Sequence, residues 1–162
     1  MQWEVQAFVD GPKINITGTV EHVHSQLLKA NPNYDVDFAS FREHPAVDTR
    51  SVEKRFGPVC GGGGYNWQPA DWPHILSNID YLRTVPGKPT MGPGPGKCAR
   101  VSCSYNDAVW WCNDNTNTFS LPSFSTIADC AQVLVDRCLG ALGSTGEVVG
   151  QNFVSVALLP GC

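Results

Sequence analysis

The side chains best suited to chemistry in this sequence are its seven cysteines, Cys60, Cys98, Cys103, Cys112, Cys130, Cys138 and Cys162. Such thiols can bind a soft metal, attack a substrate or oxidise to disulfides. Structural zinc sites use paired Cys-x2–4-Cys knuckles; here Cys98-x4-Cys103 alone comes within that range, and no second knuckle stands beside it. A Cys–His nucleophile needs a stabilised thiolate beside an imidazole. Beyond residue 55 the single histidine is His74, in the first turn of an expected helix, while Cys130 falls on an apolar helix stripe. Glycosidase chemistry needs two carboxylates across a cleft. Here Asp71 reads as a helix cap, Asp107 as a turn residue, and Asp129 and Asp136 as the wet face of a helix. No catalytic residue, metal or cofactor is assigned, and the reading is non-enzymatic. A small hydrolase using His74 or these acids is a third, weaker reading.

Disulfides remain, and with 16 Gly and 12 Pro they describe a loop-rich, covalently stapled chain of the kind found in oxidising compartments. Spacing alone leaves many connectivities open. The expected arrangement joins Cys60 to Cys138, Cys98 to Cys112 and Cys103 to Cys162, and Cys130 keeps its thiol as a small core hydrophobe. The 162 residues carry a formal charge of −4. That balance has no basic stripe for nucleic acid, and no apolar run approaches the roughly 18 residues that span a bilayer. A secreted, extracellular monomer is expected. The start, MQWEVQAF, lacks a charged stretch followed by an apolar one. We therefore take it as a chain from which a signal was removed and to which a Met was added.

The composition shifts at Ser51-Val52-Glu53-Lys54-Arg55. Residues 1–55 hold no cysteine and three of the four histidines; residues 56–162 hold every cysteine. A dibasic Lys54-Arg55 at such a boundary reads as a kexin-type processing site between a pro-segment (1–55) and a mature domain (56–162). In the leading part, Glu4–Val9 is an expected strand. Thr19 can cap a helix with Val20, Val23 and Leu27 on one face, ended by Asn31-Pro32. One amphipathic helix is no core by itself, which suits a segment that docks on the mature domain or chaperones it. His22 and His24 read as solvated, and Asp35-x-Asp37 as a turn rather than a calcium loop. Asn15-Ile16-Thr17 is the single glycosylation sequon, and a glycan on Asn15 would leave with the pro-segment.

In the mature part, a short strand is expected near Cys60. The glycines Gly61 to Gly64 lack the Gly-Lys-Ser/Thr and the strand–helix frame of a phosphate loop. Asp71-Trp72-Pro73 opens a helix with Ile75, Ile79 and Leu82 on one face, ended by Pro86-Gly87. Residues 89–96 read as a loop without regular structure. Arg100–Tyr105 and Ala108–Cys112 read as strands around Asn106-Asp107, followed by a polar connection at 113–117. A second helix starts near Ser123 or Ser125, carries Ile127, Ala131, Leu134 and Cys138, and closes at Gly140. Gln151–Leu159 alternates as one strand. The fold class is α+β: a small antiparallel sheet with two helices packed on one face, stapled by disulfides.

Residues 60–162 resemble the fungal secreted killer-toxin-like proteins, a group that includes the virus-encoded toxins of smut fungi. The resemblance rests on an early Cys near a Gly-rich stretch and a helix. It rests also on the hairpin Arg100-Val-Ser-Cys-Ser-Tyr-Asn-Asp-Ala-Val-Trp-Trp-Cys112, a helix ending in Cys138, and Gly146-Glu-Val-Val-Gly150-Gln before a terminal strand and Cys162. It implies an α/β-sandwich fold and activity either as a toxin against competitors or as an effector in host tissue. The chain departs from the smut toxins in its fewer cysteines and acidic charge. The exposed-aromatic candidates for binding are Tyr65, Trp67, Trp72, Trp110 and Trp111; Trp110 and Trp111, adjacent in a strand, point to opposite faces. Loops 86–96 and 113–118 are expected to add contacts at the same end. The first functional reading is a secreted fungal virulence effector that binds a host extracellular protein without catalysis, with a papain-like cysteine protease as the suggested target. The alternative is a killer-type toxin acting on a membrane or channel of a competing cell.

Overall fold

Trp3 and Val5 alternate with Gln2 and Glu4, the period of two that sends one set of side chains inward, and both are buried. They lie on strand β1 (Gln2–Gln6), which forms a hairpin with β2 (Lys13–Thr17). The chain reverses with Asp10 at φ 63°, a conformation that Asp tolerates better than most residues. The first strand thus ends before Val9, and a second strand occupies the sequon. The computed structural model describes residues 1–39, 58–60, 68–139, 147–148, 150–151 and 156–160. Lys54-Arg55, the glycines 61–64, Tyr65, Trp67 and Cys162 lie outside the described residues.

Helix α1 (Val20–Ala30) buries Val20, Val23 and Leu27, as helical spacing predicts. It stops at Asn31, whose side chain donates to the Ala7 carbonyl at 2.9 Å and accepts from the Asn33 N–H at 3.0 Å. The short α2 (Tyr34–Asp37) follows. After β3 (Val59–Cys60) and β4 (Ala70–Asp71) comes α3 (Trp72–Thr84), with Pro73 in its first turn and Ile75, Ile79 and Leu82 buried. Next are β5 (Lys88–Met91), β6 (Lys97–Ser104), β7 (Asp107–Asn113), β8 (Phe119–Ser120) and α4 (Phe124–Cys138). The chain continues through β9 (Glu147–Val148), β10 (Gly150–Gln151) and β11 (Val156–Pro160).

Among the described residues every strand pair is antiparallel, and the fold is α+β. A five-stranded sheet runs β3-β10-β11-β7-β6, with α3 and α4 packed on each other and on it. A four-stranded sheet runs β2-β1-β5-β8, and β4 pairs with β9. Two expectations are corrected. Residues 88–91 are a strand although Pro89 lies within it, because β1 and β8 flank it on both sides. The terminal region is two antiparallel strands rather than one, since Gly150 pairs with Leu158.

One core runs through both sheets, joining Trp3, Val20 and Leu27 of the leading region to Ile79, Trp111, Phe124 and Leu134. Each fully buried aliphatic side chain contributes about 1.5–3 kcal/mol. Disulfides join Cys60 to Cys138 and Cys98 to Cys112. The first fastens β3 to the end of α4; the second ties opposed positions of the β6–β7 hairpin. Cys103 is disulfide-bonded as well. Cys130 is buried and keeps its thiol.

Candidate functional site

The β6–β7 hairpin turns at Tyr105 and Asn106, both with positive φ (51° and 72°), so that Ser104 pairs with Asp107. Two left-handed residues give a two-residue turn whose twist matches that of the strands. Placing the turn at Asn106-Asp107 is therefore one residue late. The difference matters, because it moves Tyr105 from a strand to the tip of the turn, where it is 80% exposed.

Helix α3 holds this turn. Asn78, buried on the helix, donates from Nδ2 to the Asp107 carbonyl at 2.8 Å, and its Oδ1 accepts a hydrogen bond from Ser104 Oγ. One turn earlier, His74 Nδ1 lies 2.7 Å from Asp107 Oδ2 and 3.8 Å from Asp71 Oδ2. An ionised carboxylate only accepts, so this contact places a proton on Nδ1. The Tyr105 ring stacks on the imidazole, with centroids 4.7 Å apart and planes inclined by 24°. A sequence reading finds His74 but not this arrangement. The only local sign was Asn106, a residue suited to left-handed backbone.

Asp71 sits at the helix N-cap position, yet its side chain makes no capping hydrogen bond; its carboxylate lies nearer His74. Asp107, read as a turn residue, is the first residue of β7 and a buried partner of His74. What this cluster offers is a fixed aromatic ring, a phenol and an imidazole on a stapled frame. Among the described residues no hydroxyl or thiol hydrogen-bonds to His74, and no three His, Cys, Asp or Glu side chains gather to hold a metal ion.

The aromatic candidates separate. Trp111 is fully buried in the core, which withdraws it from any binding face. Trp110 points to the other side of β7, half-buried beneath the Arg100 guanidinium at 5.7 Å. Trp72 is half-buried against the core at the start of α3. The loops at 92–96 and 113–118 do meet: Asn113 Nδ2 donates to the Gly92 and Asn117 carbonyls, and Gly94 N–H donates to the Asn115 carbonyl. A Cβ on Gly94 would lie 1.9 Å from the Asn113 carbonyl oxygen, so only glycine fits. These loops stand at the open end of the hairpin, roughly 20 Å along β7 from the Tyr105 turn. They do not share its surface.

A second cluster joins the leading region to the rest. His24, expected to be solvated, is 14% exposed. Its Nε2 lies 2.8 Å from Asp35 Oδ1, and its Nδ1 is hydrogen-bonded to the Tyr81 hydroxyl of α3. His24 follows Val20 by four residues and precedes Leu27 by three, so it flanks the buried stripe, and that spacing was the available signal. The Tyr81 phenol is held above its ordinary range by burial first, then by the negative charges of Glu21 and Asp35. A cleft of about 170 Å³ between Glu4–Gln6, Phe38 and Pro86–Lys88 lies nearby, and neither cluster lines it. Comparison with family models, curated proteins and solved structures returns no match for this chain. Among the described residues no helix is long and apolar enough to cross a membrane.

Proposed function

We propose that this chain is a secreted fungal effector, processed at Lys54-Arg55, that acts by binding an extracellular host protein without catalysis. The observation that carries the reading is Tyr105: a large aromatic, 80% exposed, stacked on His74 and borne by a turn that Asn78 fixes to α3. Aromatic residues preorganised in this way lose little freedom on binding and are enriched among the residues that dominate interface energies. The disulfides support an oxidising, extracellular setting. A compact stapled domain with a protruding tyrosine suits insertion into a protein cleft, and a papain-like cysteine protease of plant apoplastic fluid is the target class we propose.

The test is titration of the protein against papain-type protease activity in apoplastic fluid, with Tyr105→Ala alongside. Stoichiometric inhibition that Tyr105→Ala abolishes would support the proposal. Lack of inhibition at excess protein would remove the protease target. Growth arrest of competing fungi by the same preparation would then favour the killer-type toxin, the reading that the resemblance to killer-toxin-like proteins offers.

A further inference from the structure

The leading region is built into the core as a component, not laid over it. Trp3 is fully buried, and its ring stacks on Phe124 of α4 with centroids 4.0 Å apart; its Nε1 donates to the Gly18 carbonyl at 2.8 Å. Strand β1 is an interior strand of its sheet, pairing Gln2 with Thr90, Trp3 with Pro89 and Glu4 with Lys88 of β5. Glu21 reaches from α1 to β6, where Oε1 accepts from Ser102 Oγ and, at 3.1 Å, from the Cys103 N–H. Those groups lie beside a register irregularity on the edge strand of the five-stranded sheet, so a carboxylate supplies the partner a further strand would have given. His24 and Tyr81 add a third tie, between α1 and α3. No cysteine lies before residue 60, so none of these ties is a disulfide.

We propose that residues 1–39 are a permanent non-covalent subunit: cleavage at Lys54-Arg55 yields a two-chain protein rather than a released pro-segment. The inference rests on the processing reading for the place of the natural cut, and on the buried contacts for its outcome. Without the leading region, Phe124 would lose its stacking partner and β5 would lose an interior neighbour, leaving a bare apolar face and a strand edge. A fully buried tryptophan anchoring an interior strand has the features of a tight interface. One consequence is separately visible. Asn15 is exposed on β2, opposite Glu4, so a glycan there stays with the protein after the cut.

The experiment cuts the folded full chain with a kexin-type protease, dilutes it to nanomolar concentration and weighs it by native mass spectrometry. If the natural bond resists, the processing reading fails; a site-specific protease sequence in place of residues 51–55 then supplies the cut, and the inference is still tested. The expected result is a 1:1 assembly of the two fragments, separating only in denaturant. Trp3→Ala should weaken the assembly by at least about a hundredfold. Should that variant fail to fold, Glu21→Ala should weaken it by about tenfold, while Val36→Ala, at a 77% exposed position, leaves it unchanged. Separate fragments in native buffer, or a cut Glu21→Ala chain as tightly held as the parent, would overturn the proposal.

Discussion

The imidazole of His74 is held from two sides: Asp107 Oδ2 lies 2.7 Å from Nδ1, and the ring of Tyr105 stacks on its face at 4.7 Å between centroids. A helix residue thereby fixes both the start of β7 and the exposed tip of the hairpin. Tyr105→Ala removes a side chain that buries little, so stability should move by no more than about 0.5 kcal/mol. Target binding should fall by about 2 kcal/mol or more if the tip is the contact. Asn78→Ala should do the reverse first, costing about 2–3 kcal/mol through two lost buried hydrogen bonds. Denaturant unfolding and binding measured on the same preparations separate the two effects; a Tyr105→Ala protein that binds normally would dismiss the tip.

Neighbouring tryptophans should behave oppositely. Trp111→Ala empties a fully buried core site and should cost about 3–5 kcal/mol. The Nε1 of Trp110 is buried and, among the described residues, meets no acceptor. Trp110→Phe removes that unsatisfied donor and should leave stability unchanged or raise it by up to about 1 kcal/mol. Thermal melts of the two variants check this, and a Trp110→Phe cost comparable with that of Trp111→Ala would refute it.

Alkaline pH should act through Tyr81. Its folded-state pKa is raised from the ordinary 10.0, chiefly by burial, so the fold favours the protonated phenol. That contribution is complete below pH 10 and is lost as pH rises beyond it. The melting temperature of the parent should drop above pH 10 more steeply than that of Tyr81→Phe. At neutral pH the variant should be weaker by about 1 kcal/mol, through the lost bond to His24. Parallel pH profiles would contradict this.

The Cys60–Cys138 and Cys98–Cys112 disulfides close loops of very different length, with sequence separations of 78 and 14. On the chain-entropy account, paired serine substitution should cost about 4.5 kcal/mol for the first and about 3 kcal/mol for the second. Equilibrium unfolding of each double variant tests the order. A larger loss for the shorter loop would point to native-state packing instead.

Periodicity determines much of this protein by itself. The stripes Val20-Val23-Leu27 and Ile75-Ile79-Leu82 lie in single helices, where spacing along the chain is spacing in space, and both are buried as their pattern predicts. The opposed faces of Trp110 and Trp111 follow likewise from strand alternation, which fixes that two neighbours diverge but not which one enters the core. Tertiary structure alone decided the rest. Lys88–Met91, a Pro-bearing segment without strand character of its own, is a strand because β1 and β8 flank it from distant positions in the chain. His74 meets Asp107, and Trp3 meets Phe124, only after the hairpin and helices have packed. Local propensity is written in neighbouring residues, whereas a site built from side chains 33 positions apart exists only once the intervening chain has folded back.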